Sequence, residues 1–304
     1  MTRGFLYIHF SMKTFLDEMQ YQSVDQLWEK VLLSFDHEKI PFLTDVWITG
    51  PSEVEFVSGG ETGKKCLRLF VDAQELSIFI SYVCFCDGLR FDEEKTYASG
   101  RFSKGRYTAL SGVLTGGAAR LYLRIEAKGA VDLGMFCDPY GLLPVIAASL
   151  PHFSWVVIGA SGAGKTTFLR GLLESHLPGK RQVIMEKFRE LQPQVSHVLT
   201  LCQQNPGDGG ELPLSDLFQL AVRLSPEVIV IGELRIEEFR IFCHSVLSGH
   251  GQVFSTTHAR DHQTMVSRFK LMDERAFRLA KDKIASVKLE KKGARSQIVD
   301  VHIP

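Results

Sequence analysis

The stretch W155-VVIGASGAGKTTFLRGLL-E174 contains four apolar residues, a loop with three glycines, and then a segment with apolar residues at helical spacing. Its residues Gly159, Gly164, Lys165 and Thr166 match G-x-x-x-x-G-K-[ST], the phosphate-binding loop. Glycines let backbone amides turn inward around a β-phosphate, and the helix that follows adds its positive N-terminal end. The stretch therefore predicts a strand, a phosphate-binding loop and a helix, with Lys165 on the β- and γ-phosphates and Thr166 on Mg²⁺.

Three further apolar strands are predicted at 182–186, 228–231 and 252–256, and polar residues stand at the end of each. Strands without polar alternation belong to a parallel sheet that is covered on both faces. In such sheets ligands bind beyond the carboxyl ends of the strands. The polar residues at those ends are Glu186 and Glu190, then Glu233, then Thr256, Thr257 and His258. We expect them to converge on the loop, with Glu233 organising Mg²⁺ or the attacking water.

Each of these polar residues has a simpler interpretation when it is taken alone. An acid such as Glu186 or Glu190 is usually solvated, and a histidine such as His258 usually caps an element or lies satisfied in a core. Their common position at strand ends favours a shared site. A GTPase is disfavoured because the chain has no N-K-x-D motif.

Composition limits the class of protein. A length of 304 residues favours two domains, and the balance of 35 basic and 35 acidic residues favours neither a nucleic-acid nor a membrane-surface partner. No apolar run approaches the roughly 20 residues that span a bilayer, and the start of the chain lacks a convincing signal peptide. We therefore expect a cytoplasmic protein with no direct nucleic-acid binding and with reduced cysteines. Cys84 and Cys86, if they lie in a strand, would share one face.

Two domains are predicted, an α+β domain over 1–138 and an α/β domain over 139–304. The boundary is placed in D138-PYGLLP-V145, which has two prolines and a glycine. Apolar spacing predicts one or two helices over 12–35, and KLEKKGARSQIV near the end predicts a hairpin. The strands predicted for the first domain are 44–50, 54–59, 66–71, 107–114 and 119–127.

With these motifs in place, the chain resembles the secretion ATPase superfamily that serves type II secretion, type IV pili and type IV secretion. The similarity is closest to the type IV secretion and tight-adherence pilus branch, and it covers about residues 45–268. Four motifs occur in the family's order. They are GASGAGKTT (159–167) as the Walker A motif, MEKFREL (185–191) as the acidic box, AVRLSPEVIVIGELR (221–235) as the Walker B motif, and SGHGQVFSTTHA (248–259) as the His box.

The resemblance implies an ATPase with a RecA-like P-loop domain after a smaller α+β domain, and it implies ATP and Mg²⁺ as ligands. Mg-ATP would be held by Ser161, Gly162, Ala163, Gly164, Lys165, Thr166 and Thr167, with Thr166 and Glu233 at the metal. Glu233 would polarise water or organise the metal, and Glu186 and Glu190 would assist hydrolysis. His258 and His250 match the second and first His-box histidines. Arg106 and Arg124 match positions from which family members present arginines to the phosphates.

The family also implies a homo-oligomeric ring, expected to be a hexamer, that lies peripherally at the inner membrane and drives platform or channel proteins. Departures from its motifs leave alternatives open. Lys187 replaces an acid of the acidic box, and Ser225, Ile236 and Gln252 replace a common arginine and two common glycines. A nucleotide-binding regulatory subunit with little turnover is one alternative. A monomeric small-molecule kinase is the other.

Overall fold

The computed structural model of the chain describes residues 21–35, 43–58, 61–126, 129–203, 212–249, 251–293 and 295–304. Within these ranges the chain forms two compact units, and the division falls between Ala127 and Lys128. This is about ten residues before the boundary that the Pro/Gly-rich segment predicted. The difference arises because Val131, Leu133 and Phe136 are buried in the core of the second unit.

The first unit is an antiparallel sheet with helices on one face. Its described strands have the order β3-β2-β1-β6-β5-β4. The strands are β1 (Leu43–Gly50), β2 (Glu53–Ser58), β3 (Glu61–Cys66), β4 (Tyr97–Phe102), β5 (Gly105–Leu110) and β6 (Arg120–Ile125). The helices are α1 (Val24–Leu32), α2 (Ala73–Cys86) and the single turn α3 (Gly112–Thr115). Apolar side chains of α1 and α2 pack on the covered face and form one core.

Two segments of this unit fold differently from the strands that were considered for them. The segment with Cys84 and Cys86 is a helix, because the Asp72 carboxylate accepts hydrogen bonds from the amides of Gln74 and Glu75 and starts α2. As a result Cys84 is buried and Cys86 is exposed. The strand predicted at 66–71 is also absent, since β3 ends where that segment begins. Of the helices predicted over 12–35, α1 is observed, and residues before 21 lie outside the described part of the chain.

The second unit is a largely parallel sheet with the described strand order β13-β12-β7-β11-β10-β8-β9, in which β13 alone is antiparallel. The strands are β7 (Ser154–Ile158), β8 (Gln182–Glu186), β9 (Val198–Cys202), β10 (Val228–Ile231), β11 (Gln252–Thr257), β12 (Ile284–Lys292) and β13 (Arg295–His302). The helices are α4 (Leu142–Ser149), α5 (Lys165–His176), α6 (Leu214–Arg223), α7 (Ile236–Ser248) and α8 (His262–Ala280). Separate cores cover the two faces of the sheet. The predicted fold class, a parallel-rich α/β unit after an α+β unit, is confirmed.

Register places four strand ends at one edge of this sheet. Ile158 pairs with Thr257, and Ile231 pairs with both Ser255 and Met185. Strand β11 therefore lies between β7 and β10, and the chain leaving it passes between the loop after β7 and the turn after β10. No helix in the described part of the chain combines the length and apolar character needed to cross a bilayer.

Candidate functional site

The loop between β7 and α5 follows a path that requires glycine. Gly159, Gly162 and Gly164 have φ angles of 154°, 73° and 85°, which disfavour residues with a side chain. A Cβ at Gly159 would lie 2.5 Å from the carbonyl oxygen of Leu289, and one at Gly164 would lie 2.6 Å from Ser296 Oγ. The loop is thus pressed against the hairpin of β12 and β13, and glycine is the residue that fits.

Helix α5 begins directly after this loop. It begins at Lys165, and no side chain caps its first turn. The first amides of a helix have no partner within the helix, and its positive end favours an anion. Ser161 and Gly162 are exposed, whereas Ala163 is buried beneath them. This combination of open glycine loop and uncapped helix start fits a bound phosphate group.

The ammonium group of Lys165 is held at the mouth of the loop. The residue is buried, and its Nζ lies 2.8 Å from the carbonyl oxygen of Ala160 and 3.1 Å from that of Gly159. The same Nζ lies 3.2 Å from His258 Nδ1. A positive charge is therefore fixed where the loop turns toward α5.

The imidazole of His258 connects the loop to the acid after β10. Its Nε2 lies 3.3 Å from Glu233 Oε1. An ammonium group has no lone pair, so Nδ1 must accept from Lys165, and Nε2 then carries the hydrogen that it donates to Glu233. We call these three residues the Lys-His-Glu chain. It crosses the ends of three strands and joins three of the sequence motifs, the Walker A motif, the His box and the Walker B motif.

The environment of His258 favours its neutral form. Burial lowers the pKa of His258 below its usual range, and the positive charges of Lys165 and Arg268 act in the same direction. The Glu233 carboxylate and the Gly159 carbonyl oppose this shift without cancelling it. Because the pKa is lowered, the imidazole keeps both hydrogen bonds of the chain to a lower pH than a free histidine would.

Glu233 lies on a turn that neighbouring strands hold in place. The amide of Gly232 donates to the carbonyl of Met185 at 3.0 Å, and Thr256 Oγ1 donates to the carbonyl of Gly232 at 2.8 Å. The Glu233 side chain is 38% exposed, and its second oxygen lies 3.8 Å from Arg235 Nη2. The carboxylate is therefore both positioned and accessible to water and ligand.

Glu186, at the end of β8, is buried and bonded to its own loop. Its carboxylate accepts from the amides of Glu190 and Leu191, each at 3.1 Å. It also lies beside Gly232, where an added Cβ would be 3.2 Å from Glu186 Cγ. Glu190 is half-buried and is held through its backbone. The structure thus brings the acidic box next to the turn that carries Glu233, and it gives Glu186 a role in shaping that loop.

Arg106 and Arg124 are direct cross-strand neighbours in the first unit. Arg106 on β5 pairs with Arg124 on β6, which in turn pairs with Asp45 on β1. All three lie on the sheet face opposite the helices and are half-buried. The carboxylate of Asp45 accepts a hydrogen bond from Tyr122, 2.5 Å away. Adjacent arginines on one face provide positive charge of the kind that binds anions, here with the Asp45 carboxylate beside them. His250 lies outside the described residues.

Magnesium in nucleotide sites is held by one or two protein oxygens together with phosphates and water. Thr166 is the second residue of α5 and is half-buried next to the loop. Glu233, which follows strand β10, has an accessible carboxylate. No three His, Cys, Asp or Glu side chains among the described residues form a metal cage of their own. The donors present at this rim, a hydroxyl and a carboxylate, are hard oxygen ligands of the kind that Mg²⁺ takes.

Sequence comparison assigns the chain to a family. The profile described as Type II/IV secretion system protein matches residues 133–291, just over half of the chain. The chain belongs to this family. A putative conjugal transfer protein of Mycobacterium tuberculosis is 27% identical over 244 residues, which cover 75% of this chain and 69% of that protein.

Two further relatives of this family member match shorter parts of the chain. Protein VirB11 of Agrobacterium tumefaciens is 28% identical over 162 residues, covering 52% of this chain and 45% of VirB11. The type IV secretion system protein PtlH of Bordetella pertussis is 35% identical over 121 residues, covering 38% of this chain and 35% of PtlH. The resemblance to the type IV branch of the secretion ATPases is confirmed.

Two solved structures share the fold of this family member. The ATPase DotB of Legionella pneumophila superposes with a TM-score of 0.60 at 20% identity, covering 90% of this chain and 78% of DotB. The pilus retraction motor PilT, solved with bound ADP, gives 0.56 at 16% identity, covering 88% and 81%. These likenesses confirm the arrangement of an N-terminal domain followed by a RecA-like domain.

Some features of the site in this family member were not predicted. The hairpin of β12 and β13 was expected, but not its contact with the loop through Leu289 and Ser296. No short-range pattern marks such a contact, since more than a hundred residues separate the hairpin from the loop. The bonds of the Glu186 carboxylate to the amides of Glu190 and Leu191 were not predicted either.

Proposed function

We propose that this chain is the ATP-hydrolysing motor subunit of a bacterial type IV secretion or pilus-assembly machine. The observation that carries the proposal is the Lys-His-Glu chain, which ties the phosphate-binding loop to the acid of the Walker B motif across the intervening strand. Family membership supports the kind of machine. The relatives support it as well, since PtlH is named as a type IV secretion system protein and PilT as a pilus retraction motor.

ATP would bind by its phosphates to the glycine loop and the start of α5. Backbone amides of the loop and the first turn of the helix would donate to the phosphate oxygens. Lys165 would exchange its contacts with the loop carbonyls for the more strongly charged β- and γ-phosphates. The residues in this binding role are Ser161, Gly162, Ala163, Gly164, Lys165, Thr166 and Thr167.

Mg²⁺ would be held by the Thr166 hydroxyl together with phosphate oxygens, with Glu233 near it directly or through water. When bound, the ion neutralises charge on the β- and γ-phosphates and fixes their orientation. Thr166 is in the first turn of α5, directly after the loop, so its hydroxyl would lie near the phosphates that the loop binds. The protein would thus supply one or two oxygens, from Thr166 and Glu233, and leave the other positions to substrate and water.

Hydrolysis would be an in-line attack of water on the γ-phosphorus. The new bond joins the water oxygen to phosphorus, the bond to the β,γ-bridging oxygen of ADP breaks, and the water proton passes to the Glu233 carboxylate or to the released phosphate. His258 holds Glu233 in place through Nε2. Glu186 and Glu190 would support the loop between β8 and β9 (187–197), which we call the acidic loop and which lies beside this carboxylate. Arg106 and Arg124 would supply charge to the phosphates.

We further propose that the chain works as a homo-oligomeric ring, with six subunits as in the family expectation, at the cytoplasmic face of the inner membrane. ATP turnover would then drive platform or channel proteins of the machine. Light scattering with ATP and Mg²⁺ tests the ring. A species that stays at the 34.1 kDa of one chain would contradict it and would favour a monomeric kinase.

A regulatory subunit that binds ATP with little turnover is the second candidate. It is favoured by the orientation of Glu186, whose carboxylate is occupied by amides of its own loop, and by Lys187 in place of an acid. Phosphate release by the purified chain with Mg-ATP separates the two. Release that is saturable and depends on Mg²⁺ supports the motor, whereas intact binding without release supports the regulatory subunit.

Replacing Thr166 by alanine should lower turnover in a way that excess ATP does not restore. The hydroxyl ligand of Mg²⁺ is lost while the amides and Lys165 remain, so binding of ATP survives better than its hydrolysis. The measurement is phosphate release against Mg²⁺ concentration. Thr200→Ala, in the edge strand β9, is the control and should keep the wild-type curve. A normal Mg²⁺ dependence for Thr166→Ala would contradict the assignment.

Turnover should fall at acid pH as His258 becomes protonated. A protonated Nδ1 can no longer accept from Lys165, and since the pKa of His258 is lowered, the loss begins at a lower pH than for a free histidine. His258→Gln has an amide that can accept from Lys165 and donate to Glu233, so it should keep much of the rate and lose this acid limb. His258→Ala should cost about 10- to 100-fold in kcat, as expected for hydrogen bonds to charged groups. An unchanged pH profile in His258→Gln would exclude His258 as the titrating group.

A further inference from the structure

Helix α5 carries a buried carboxylate, Glu174, that binds two distant backbone segments. Its Oε2 accepts from the amide of Val131 at 2.6 Å, and its Oε1 accepts from the amide of Gln194 at 2.7 Å. Val131 lies three residues after Lys128, where the second unit begins, in the segment 129–133 that we call the junction. Gln194 lies three residues beyond the end of the acidic box, which ends at Leu191. One side chain of the phosphate-loop helix therefore contacts both the junction and the acidic loop.

A buried arginine one turn earlier completes this arrangement. Arg170 Nε donates to Glu174 Oε1 at 2.8 Å, and both side chains are only 7% exposed. The Nη2 of Arg170 donates to the carbonyl of Gly129, again at the junction. The pKa of Glu174 is lowered although burial alone would raise it, because the amides of Val131 and Gln194 and the Arg170 guanidinium outweigh the burial. The carboxylate is thus held ionised by three donors.

The helix surface at this point is shaped to receive the junction. Gly171 lies next to Arg170, and a Cβ there would be 2.7 Å from Leu133 Cδ2 and 3.0 Å from Val131 Cγ1. Residues 131–133 therefore pack directly on the backbone of α5. Polar and apolar contacts hold the same short segment against the same helix.

We propose that Arg170 and Glu174 are positioning residues that transmit the nucleotide state of the loop to the junction between the units and to the acidic loop. The inference rests on the proposed ATPase function. Lys165 and Glu174 are nine residues apart in one helix, or about 14 Å along its axis, and a helix moves as a rigid rod over that distance. A shift of α5 on phosphate binding then moves the junction and Gln194 together.

Stability alone does not account for this pair. A buried ion pair seldom contributes more than an apolar pair of the same size would, because both charges lose their hydration. The bonds instead go to backbone groups of two separate segments, which an apolar pair could not hold. Glu186 fixes the start of the acidic loop, and Glu174 fixes its end, so the loop is attached at both sides.

Glu174→Gln is the variant that tests the proposal. Glutamine has nearly the same size, but its NH₂ group would face one of the donors that now bind the carboxylate, so one set of contacts must break. Hydrogen exchange by mass spectrometry would follow peptides over 129–136 and 192–197, with and without a non-hydrolysable ATP analogue and Mg²⁺. Nucleotide affinity, kcat and KM would be measured on the same samples.

In the wild type we expect the analogue to slow exchange in both peptides. In Glu174→Gln both should exchange faster and should no longer respond to the analogue, with affinity changed less than about threefold. We expect kcat to fall about 10- to 100-fold with KM little changed, since a misplacement of about 1 Å can cost that much. Glu174→Gln with a wild-type exchange response and wild-type kcat would overturn the proposal.

The matched control is Glu274→Gln, which removes the carboxylate of an exposed i,i+4 pair with Arg278 on α8. It should behave as the wild type in every measurement.

Gly171→Ala is the second variant, for use if Glu174→Gln unfolds, because it displaces residues 131–133 and leaves both charges in place. It should weaken the response at 129–136, and an unchanged response would count against the proposal. A wild type that binds no ATP would refute the proposed function itself. If the wild type binds and hydrolyses ATP but Glu174→Gln has the wild-type exchange response and kcat, only this inference is refuted.

Discussion

Replacing Lys165 by alanine is expected to remove most of the ATP affinity and all measurable turnover, while the chain remains folded. The Nζ contacts that the structure describes go to loop carbonyls and to His258 at the edge of the sheet. The positive charge of Lys165 is therefore expected to contribute to ligand binding more than to the stability of the core. Loss of one fixed donor to a charged group in a site of this kind costs about 10²- to 10³-fold in rate. Loss of phosphate binding adds to that cost.

Thermal unfolding with and without Mg-ATP measures ATP binding and the stability of the fold, and phosphate release measures turnover. A ligand that binds only the folded state stabilises it by about 2.7 kcal/mol when present at 100 times its Kd. The wild type should show that stabilisation, and Lys165→Ala should not, with similar unfolding temperatures in the absence of nucleotide. Lys180→Ala, which removes an exposed lysine paired with Glu227, is the control. Wild-type affinity and turnover in Lys165→Ala would refute the loop as the nucleotide site.

Replacing Glu233 by glutamine should leave ATP binding intact and reduce phosphate release by about 10²- to 10³-fold. The amide oxygen can still accept the hydrogen bond from His258 Nε2, so the Lys-His-Glu chain persists. The amide cannot take a proton and carries no charge for Mg²⁺ or water. General-base groups contribute about 10²- to 10⁴-fold to rates of this kind. Binding and hydrolysis are therefore expected to separate in this variant.

The measurement is single-turnover phosphate release beside equilibrium binding of ATP. Glu237→Gln removes an exposed acid from the first turn of α7 and is the matched control. Equal and negligible release by wild type and Glu233→Gln, with intact binding, would support the regulatory subunit. Full activity of Glu233→Gln would show that another group performs the role.

Much of the second unit could be predicted from sequence because its signals are local. Strands β8 and β10 are continuous apolar runs with acids at their ends, and their observed bounds are those predicted. Strand β9 was not predicted, because its short apolar run is interrupted by Thr200 and its residues are partly exposed at the edge of the sheet. The helix at 73–86 was not predicted, and its end around Cys84 and Cys86 was considered only as a possible strand, since a short apolar run fits a buried strand and a helix equally well.

The contacts that build the candidate site could be predicted only in part. Strand ends give the sheet edge on which His258 and Glu233 lie, but side-chain conformation decides that the imidazole contacts both Lys165 and Glu233. The junction was placed too late because Pro/Gly content marks flexible backbone, whereas the burial of Val131 and Leu133 against α5 decides where the second unit begins. Such long-range packing has no signature in neighbouring residues.

A crystal structure of the chain with Mg²⁺ and a non-hydrolysable ATP analogue tests the central claim most directly. The claim is that the loop after β7, the helix start of α5 and the Lys-His-Glu chain form one nucleotide site. The predicted result is a β-phosphate within hydrogen-bond distance of the amides of residues 162–167, with Thr166 at the metal and Glu233 facing the γ-phosphate. Phosphates bound elsewhere, with this loop and Glu233 untouched, would contradict it.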